Sequence, residues 1–222
     1  MHFHLPKPLH GWREFVGEVG IIVIGVLIAL GAEQVVEAVH HRSQVDEAIE
    51  KLRAESADNR RVLDYDLRLL QKSLAVVDRD LAALDGCRNP GTIRTLEPLP
   101  QDPVLYPADV AWQGARDSAL LPLMPALQAH NYAMVDGIMS GYATRTFDLR
   151  RDLDRTSGAV ESVRAGGQDA GVCDAALLRL NELKQTELSL ALHATFLRTA
   201  NESALKGLHM GIDPRSLRPQ LR

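Results

Sequence analysis

An apolar stretch near the N-terminus constrains this chain more than any other feature. From Val19 to Ala32 the sequence VGIIVIGVLIALGA has no charge, no proline and no strongly polar side chain. As a helix it spans about 21 Å, or about 27 Å with residues 15–18 included, against roughly 30 Å of bilayer hydrocarbon. We therefore expect a transmembrane helix over residues 15–36, preceded by a short cytoplasmic segment, residues 1–14.

Two other interpretations compete with a retained anchor. A cleaved signal peptide would use a small-x-small site such as Ala29-Leu30-Gly31, but Glu14 and Glu18 are unusual in the region before its apolar core. A buried helix of a soluble protein is also compatible with this length. We favour the anchor.

Basic residues predict the orientation of the span. Lys7 and Arg13 precede it, whereas the first basic residue after it is Arg42. The positive-inside rule then places the N-terminus in the cytoplasm and the rest of the chain outside. For a bacterial inner membrane, the main domain is expected in the periplasm. Trp12 and Phe15 are suited to the membrane interface.

One face of the span differs from the rest. The residues Glu18, Ile22, Gly25, Ala29 and Ala32 follow one another at spacings of four and three, so they form one helical stripe. Gly25 and Ala29 make a small-xxx-small pair, which lets two backbones approach closely. This stripe predicts a helix–helix interface in the membrane, with a second copy of the chain or a partner membrane protein. Glu18 is then either an intramembrane functional carboxylate or a side chain at headgroup level.

The span also carries a resemblance. Gly17-Glu18, six further residues and then Gly25-Val26-Leu27-Ile28-Ala29-Leu30 resemble the anchor of an uncharacterised family of small bacterial membrane proteins. The segment from Trp112 to Leu120 is similar to a W-x-x-A-x-x-[ST]-[GA] stretch of that family. The resemblance implies a single N-terminal span followed by a helical domain, and it implies no activity.

Helical patterns dominate the rest of the chain. Aromatic residues make up only 5%, and residues 33–85 contain neither proline nor glycine. Apolar residues recur there at heptad spacing: Val45, Ile49, Leu52, Leu63, Leu67, Leu70, Leu74, Val77, Leu81 and Leu84. Ser56 and Asn59 fall in this seam, and the steps from Asn59 to Leu63 to Leu67 predict a stutter.

The remaining segments predict a bundle. A proline-rich loop covers residues 87–108, and a short helix follows with Trp112 as its core anchor or, alternatively, a ligand-stacking side chain. Two long helices then run from Pro125 to about Val163 and from Asp169 or Asp174 to about Leu208. Residues 211–222 form a basic tail expected to be disordered. The predicted fold class is all-α, a single transmembrane helix continuing into an elongated antiparallel bundle over residues 37–210.

The chain has two cysteines, Cys87 and Cys173, both in the predicted domain. Outside the cytoplasm a disulfide between them is chemically permitted, and two buried free thiols are the alternative.

No catalytic, phosphate-binding or metal-binding motif occurs in the sequence. Glu33, Glu37 and His40 or His41 share helical spacing, but a solvated face explains them better than a metal or proton site. A net charge of −4 argues against nucleic-acid binding. We therefore expect no cofactor, no metal site and no catalytic residue.

The favoured hypothesis is a non-enzymatic scaffold or accessory subunit of an envelope complex that self-associates through its span and its heptad helices. Its expected partners are the lipid bilayer and a homo-oligomer or membrane protein. The alternatives are an extracytoplasmic ligand sensor acting through a separate effector, and a proton-linked or pore-forming oligomer that uses Glu18.

Overall fold

The computed structural model of the chain describes residues 11–84, 86–87, 96–166 and 169–208. Most of the predicted cytoplasmic segment, residues 88–95 of the proline-rich loop and the basic tail therefore lie outside the described residues. Within those ranges the chain forms four α-helices and no β-strand, so the all-α prediction is confirmed. The helices are α1 (Trp12–Leu84), α2 (Val110–Asp117), α3 (Ala126–Arg164) and α4 (Ala170–Lys206).

The predicted helical continuity from the apolar stretch into the heptad region is also confirmed. Both belong to α1, which is 73 residues long. The chain nevertheless divides into two compact units, one ending at Glu47 and one beginning at Ala48.

The first unit is described from residue 11 and consists of the N-terminal part of α1. It includes a segment long and apolar enough to cross a membrane, and none of that apolar segment is buried. Ile21 is 74% exposed and Leu27 is 62% exposed. Trp12 and Phe15 lie beside each other, with ring centroids 6.3 Å apart.

The second unit is a bundle in which α3 and α4 run antiparallel. Arg145 on α3 donates to Ser189 on α4, and further along α3 the hydroxyl of Thr156 donates to the carbonyl of Arg179. A later residue of α3 therefore contacts an earlier residue of α4, as expected for antiparallel helices.

α1 and α4 are antiparallel as well. Asp64 on α1 pairs with Arg198, and Asp78 pairs with Lys184 at 2.7 Å. Three long helices thus form the bundle, with α1 and α3 both antiparallel to α4. A 3₁₀ turn, Leu121–Leu123, lies between the short helix α2 and α3.

Local chemistry explains where α4 begins and ends. The side chain of Asp169 accepts a hydrogen bond of 2.9 Å from the backbone N–H of Val172, which caps the first turn. At the other end Gly207 adopts a left-handed conformation with φ +62°, which glycine reaches at low cost. The N–H groups of residues 207 and 208 then bond to carbonyls of the last turn.

The buried stripe of α1 corrects one prediction. Beyond Asn59 it continues through Leu63, Asp66, Leu70, Ser73, Val77, Asp80 and Leu84 at regular spacings of three and four. Leu67 and Leu81 are only partly buried. The predicted stutter is therefore wrong. The polar residues Asp66, Ser73 and Asp80 occupy seam positions, and a pattern traced through apolar residues alone does not include them.

Candidate functional site

The residues of the predicted membrane stripe are exposed on the surface of the first unit. Glu18, Ile22, Gly25, Ala29 and Ala32 are all exposed in the chain by itself. A β-carbon added at Gly25 would meet no described atom within 4 Å. The stripe therefore offers an uncovered surface to lipid or to a second helix.

In the second unit, the seam of α1 carries a polar residue every seven positions. These residues are Asn59, Asp66, Ser73 and Asp80, and each is at most 5% exposed. A repeat of seven places them on one face of the helix. We call this set the polar ladder.

The ladder binds an extended segment that runs back along α1. This segment, the strap, comprises residues 96–109 and has no regular secondary structure. Asp80 accepts from the N–H of Glu97, Asp66 from the N–H of Leu105, and Asn59 exchanges two hydrogen bonds of 2.7 Å with Ala108. The strap contains four prolines and cannot form a helix, so its backbone polar groups need partners of this kind.

A further hydrogen bond joins α1 to the start of α2, which directly follows the strap. Glu55 on α1 accepts a 2.8 Å hydrogen bond from the N–H of Ala111, in the first turn of α2. A carboxylate is favourable there because the N-terminus of a helix is partly positive. Asp109 occupies the N-cap position of α2, but its side chain accepts from Gln113 and makes no cap hydrogen bond.

Asp66 joins three parts of the bundle. One carboxylate oxygen accepts from Leu105 on the strap, and the other accepts from the hydroxyl of Tyr142 on α3 at 2.7 Å. Burial raises the pKa of Asp66, and these two hydrogen bonds oppose the rise. The pKa of Tyr142 is also raised, first by its burial and then by the neighbouring carboxylate.

At the other end of the ladder, Asp80 holds the start of the strap. Burial raises its pKa, while the hydrogen bond from the backbone of Glu97 lowers it. The side chain of Glu97 turns outward and forms a two-pronged ion pair with Arg79, at 2.6 and 2.8 Å. Hydrogen bonding to Arg79 lowers the pKa of Glu97.

Ser73, the third member of the ladder, faces α4 instead of the strap. Its hydroxyl donates to Oε1 of Glu187, whose side chain is buried. Oε2 of Glu187 has no hydrogen-bond partner among the described residues. Burial raises the pKa of Glu187 to about 7. This carboxyl therefore changes protonation near neutral pH inside the core.

The two cysteines are joined in the structure. Cys87 follows the end of α1, Cys173 lies in the first turn of α4, and their Cα atoms are 5.9 Å apart in a disulfide. Both residues are almost completely buried. The bond closes one end of the bundle.

Trp112 is buried on α2, with 7% of its surface exposed. It shares a cavity of about 10 Å³ with Leu52, Asn59, Tyr132 and Asn201. A space of this size holds no organic ligand. Its position supports the core-anchor interpretation over ligand stacking.

The histidines of α1 and α4 contact residues four positions away on their own helices. His41 lies 4.0 Å from Glu37, and His40 contacts Gln44. His193 bonds to the backbone carbonyl of Ser189 and not to its hydroxyl. Among the described residues no group of three His, Cys, Asp or Glu side chains is placed to hold a metal ion.

Comparison with protein-family models, with curated proteins and with solved structures gives no match. The resemblance of residues 17–30 to an uncharacterised family therefore stays a prediction.

Proposed function

We propose that this protein is a membrane-anchored helical scaffold or accessory subunit of an envelope complex, which self-associates through its span. The observation that carries the proposal is the composition of α1. One helix contains both an uncovered apolar segment and the principal seam of a bundle. A chain built this way holds a folded domain at a membrane.

The cysteine pair supports a periplasmic location for that domain. Disulfides persist in oxidising compartments and are rare in the cytoplasm. The bond between Cys87 and Cys173 therefore agrees with the orientation predicted from Lys7 and Arg13.

Self-association is supported by the stripe in the span. Between transmembrane helices there is little hydrophobic driving force, so close packing of small residues provides the attraction. Gly25 and Ala29 leave room for a neighbouring backbone, and no other described part of the chain covers them.

Cysteine crosslinking in native membranes tests the self-association directly. Ala29→Cys places a thiol on the stripe, and Leu27→Cys places one on the opposite face of the same helix turn. The native cysteines are bonded to each other, so only the introduced thiol reacts. We expect an oxidised dimer with Ala29→Cys and little with Leu27→Cys. A monomer in both variants, or equal dimer in both, would contradict self-association through this stripe.

A further inference from the structure

An open groove lies in the second unit between the strap and α3. It consists of two cavities that follow one another along α3 and share the side chain of Tyr106. The first, of about 210 Å³, lies beside Phe147, Arg150 and Asp154. The second, of about 270 Å³, lies beside Asp136, Met139 and Ser140.

The groove follows from the composition of the strap. An α-helix with its side chains is about 10 Å across, whereas an extended chain is much thinner. Because the proline-rich strap takes a place beside α1 and α3 where a helix would fill the space, a gap remains along α3. The polar ladder holds the strap in this position through Asp66 and Asn59.

Large apolar side chains line the groove and stay exposed. Phe147 is 69% exposed and Tyr106 is 50% exposed, and their rings lie 6.1 Å apart. Exposed aromatic pairs of this kind are characteristic anchors of protein interfaces. The groove is therefore suited to apolar side chains of a binding partner.

The charges of the groove are mostly negative. Its lining contains four aspartates, Asp102, Asp109, Asp136 and Asp154, and one cation, Arg150. Asp136 lies 3.9 Å from the guanidinium of Arg116, and Asp109 accepts from Gln113. Asp102 and Asp154 line the same cavity as the aromatic pair. A complementary partner therefore carries positive charge beside its apolar residues.

We propose that this groove is the docking site for a cationic, apolar peptide segment of a partner protein. The inference rests on the proposed accessory-subunit function and specifies the chemistry of the partner. Apolar side chains of the segment would contact Tyr106 and Phe147, and its lysines or arginines would pair with Asp102 and Asp154.

The test uses the full chain in nanodiscs of uncharged lipid. The probes are a fluorescent 12-residue peptide of lysine, leucine and phenylalanine, and the same peptide with glutamate in place of every lysine. We expect saturable binding of the cationic peptide only. Phe147→Ala should weaken that binding about tenfold or more, as for an interface anchor. The matched control is Leu178→Ala on α4, which changes another exposed apolar side chain and should leave binding unchanged.

Three results would overturn the proposal. The first is that the glutamate peptide binds as tightly as the cationic peptide. The second is that Phe147→Ala and Leu178→Ala have equal effects on binding. The third is that the cationic peptide binds only after residues 209–222 are removed. The last result would assign the groove to the chain's own basic C-terminal segment. Since both substitutions remove exposed side chains, circular dichroism should show the same helicity for each. None of these results would change the crosslinking expected at Ala29. Each proposal can therefore be refuted without refuting the other.

Discussion

Tyr142 on α3 donates a 2.7 Å hydrogen bond to Asp66 on α1, and both side chains are completely buried. The second carboxylate oxygen of Asp66 binds the strap at Leu105. A single buried carboxylate therefore links two helices and the strap. A buried charge without a cation is stable only when hydrogen bonds replace its hydration, and these two bonds do so.

Removing the tyrosine hydroxyl should destabilise the bundle. Tyr142→Phe leaves one oxygen of Asp66 buried without its donor, and we expect a loss of about 2 kcal/mol in the free energy of unfolding. Urea unfolding of the full chain in detergent, followed by tryptophan fluorescence, measures the change. The control is Tyr65→Phe on α1, an exposed tyrosine whose hydroxyl removal should change little. Equal stability of the Tyr142→Phe variant and the wild type would show that the bond contributes nothing.

Asn59 should control how tightly the strap is held. Asn59→Ala removes both hydrogen bonds to Ala108. We expect faster amide hydrogen exchange in residues 104–111, while α4 keeps its protection because its core contacts are unchanged. Asp58→Ala, at the neighbouring exposed position, serves as the control. Uniformly faster exchange throughout the bundle would mean that Asn59 supports the whole fold and not the strap specifically.

The buried carboxyl of Glu187 predicts an unusual pH dependence. Its folded pKa of about 7 lies above the ordinary value of 4.5, so the folded state binds the proton more tightly than the unfolded state. This contribution to stability is complete below about pH 4.5 and is lost as the pH rises through 7, a change of about 3 kcal/mol.

Glu187→Gln should therefore stabilise the protein at pH 8 and have little effect at pH 5, because the amide keeps the shape without the charge. Melting temperatures measured between pH 5 and 8 give both values. The control is Glu182→Gln on the same helix, an exposed residue paired with Arg179, which should change stability little. Parallel pH profiles for the wild type and Glu187→Gln would contradict the titration of Glu187 in this range.

The sequence predicted the helices well because their signals are local. The absence of proline and glycine from residues 33–84, Pro125 before α3 and Asp169 before α4 each mark a helix or its boundary. Asn59 was placed in the seam of α1, but the other members of the polar ladder were missed because only apolar residues were followed beyond it. Its seven-residue repeat, Asn59, Asp66, Ser73 and Asp80, is present in the sequence and could have indicated buried polar positions.

The path of the strap was not predictable in the same way. Its prolines exclude a helix, but they do not specify which helix it lies against. That choice depends on long-range pairs such as Asp66 with Leu105 and Asp80 with Glu97, which are 39 and 17 residues apart. The groove along α3 follows from the same pairs, so it could not be predicted from the sequence either.

The disulfide should contribute substantially to stability. Cys87 and Cys173 are separated by 86 positions, so the bond restricts a long loop in the unfolded chain. Replacing both with serine should lower the free energy of unfolding by about 4 kcal/mol. Dithiothreitol should destabilise the wild type and leave the double variant unchanged. Equal sensitivity of the two proteins to the reductant would contradict a bonded pair.

The retained membrane anchor is tested most directly by alkaline carbonate extraction of membranes from expressing cells, with intact-mass measurement of the chain. We expect the protein to stay in the membrane pellet and its mass to include the residues before Ala32. A full-length chain released into the supernatant would identify the apolar segment of α1 as part of a soluble protein. A shortened chain that begins just after Gly31 would identify it as a cleaved signal peptide. Either result would contradict the proposed scaffold.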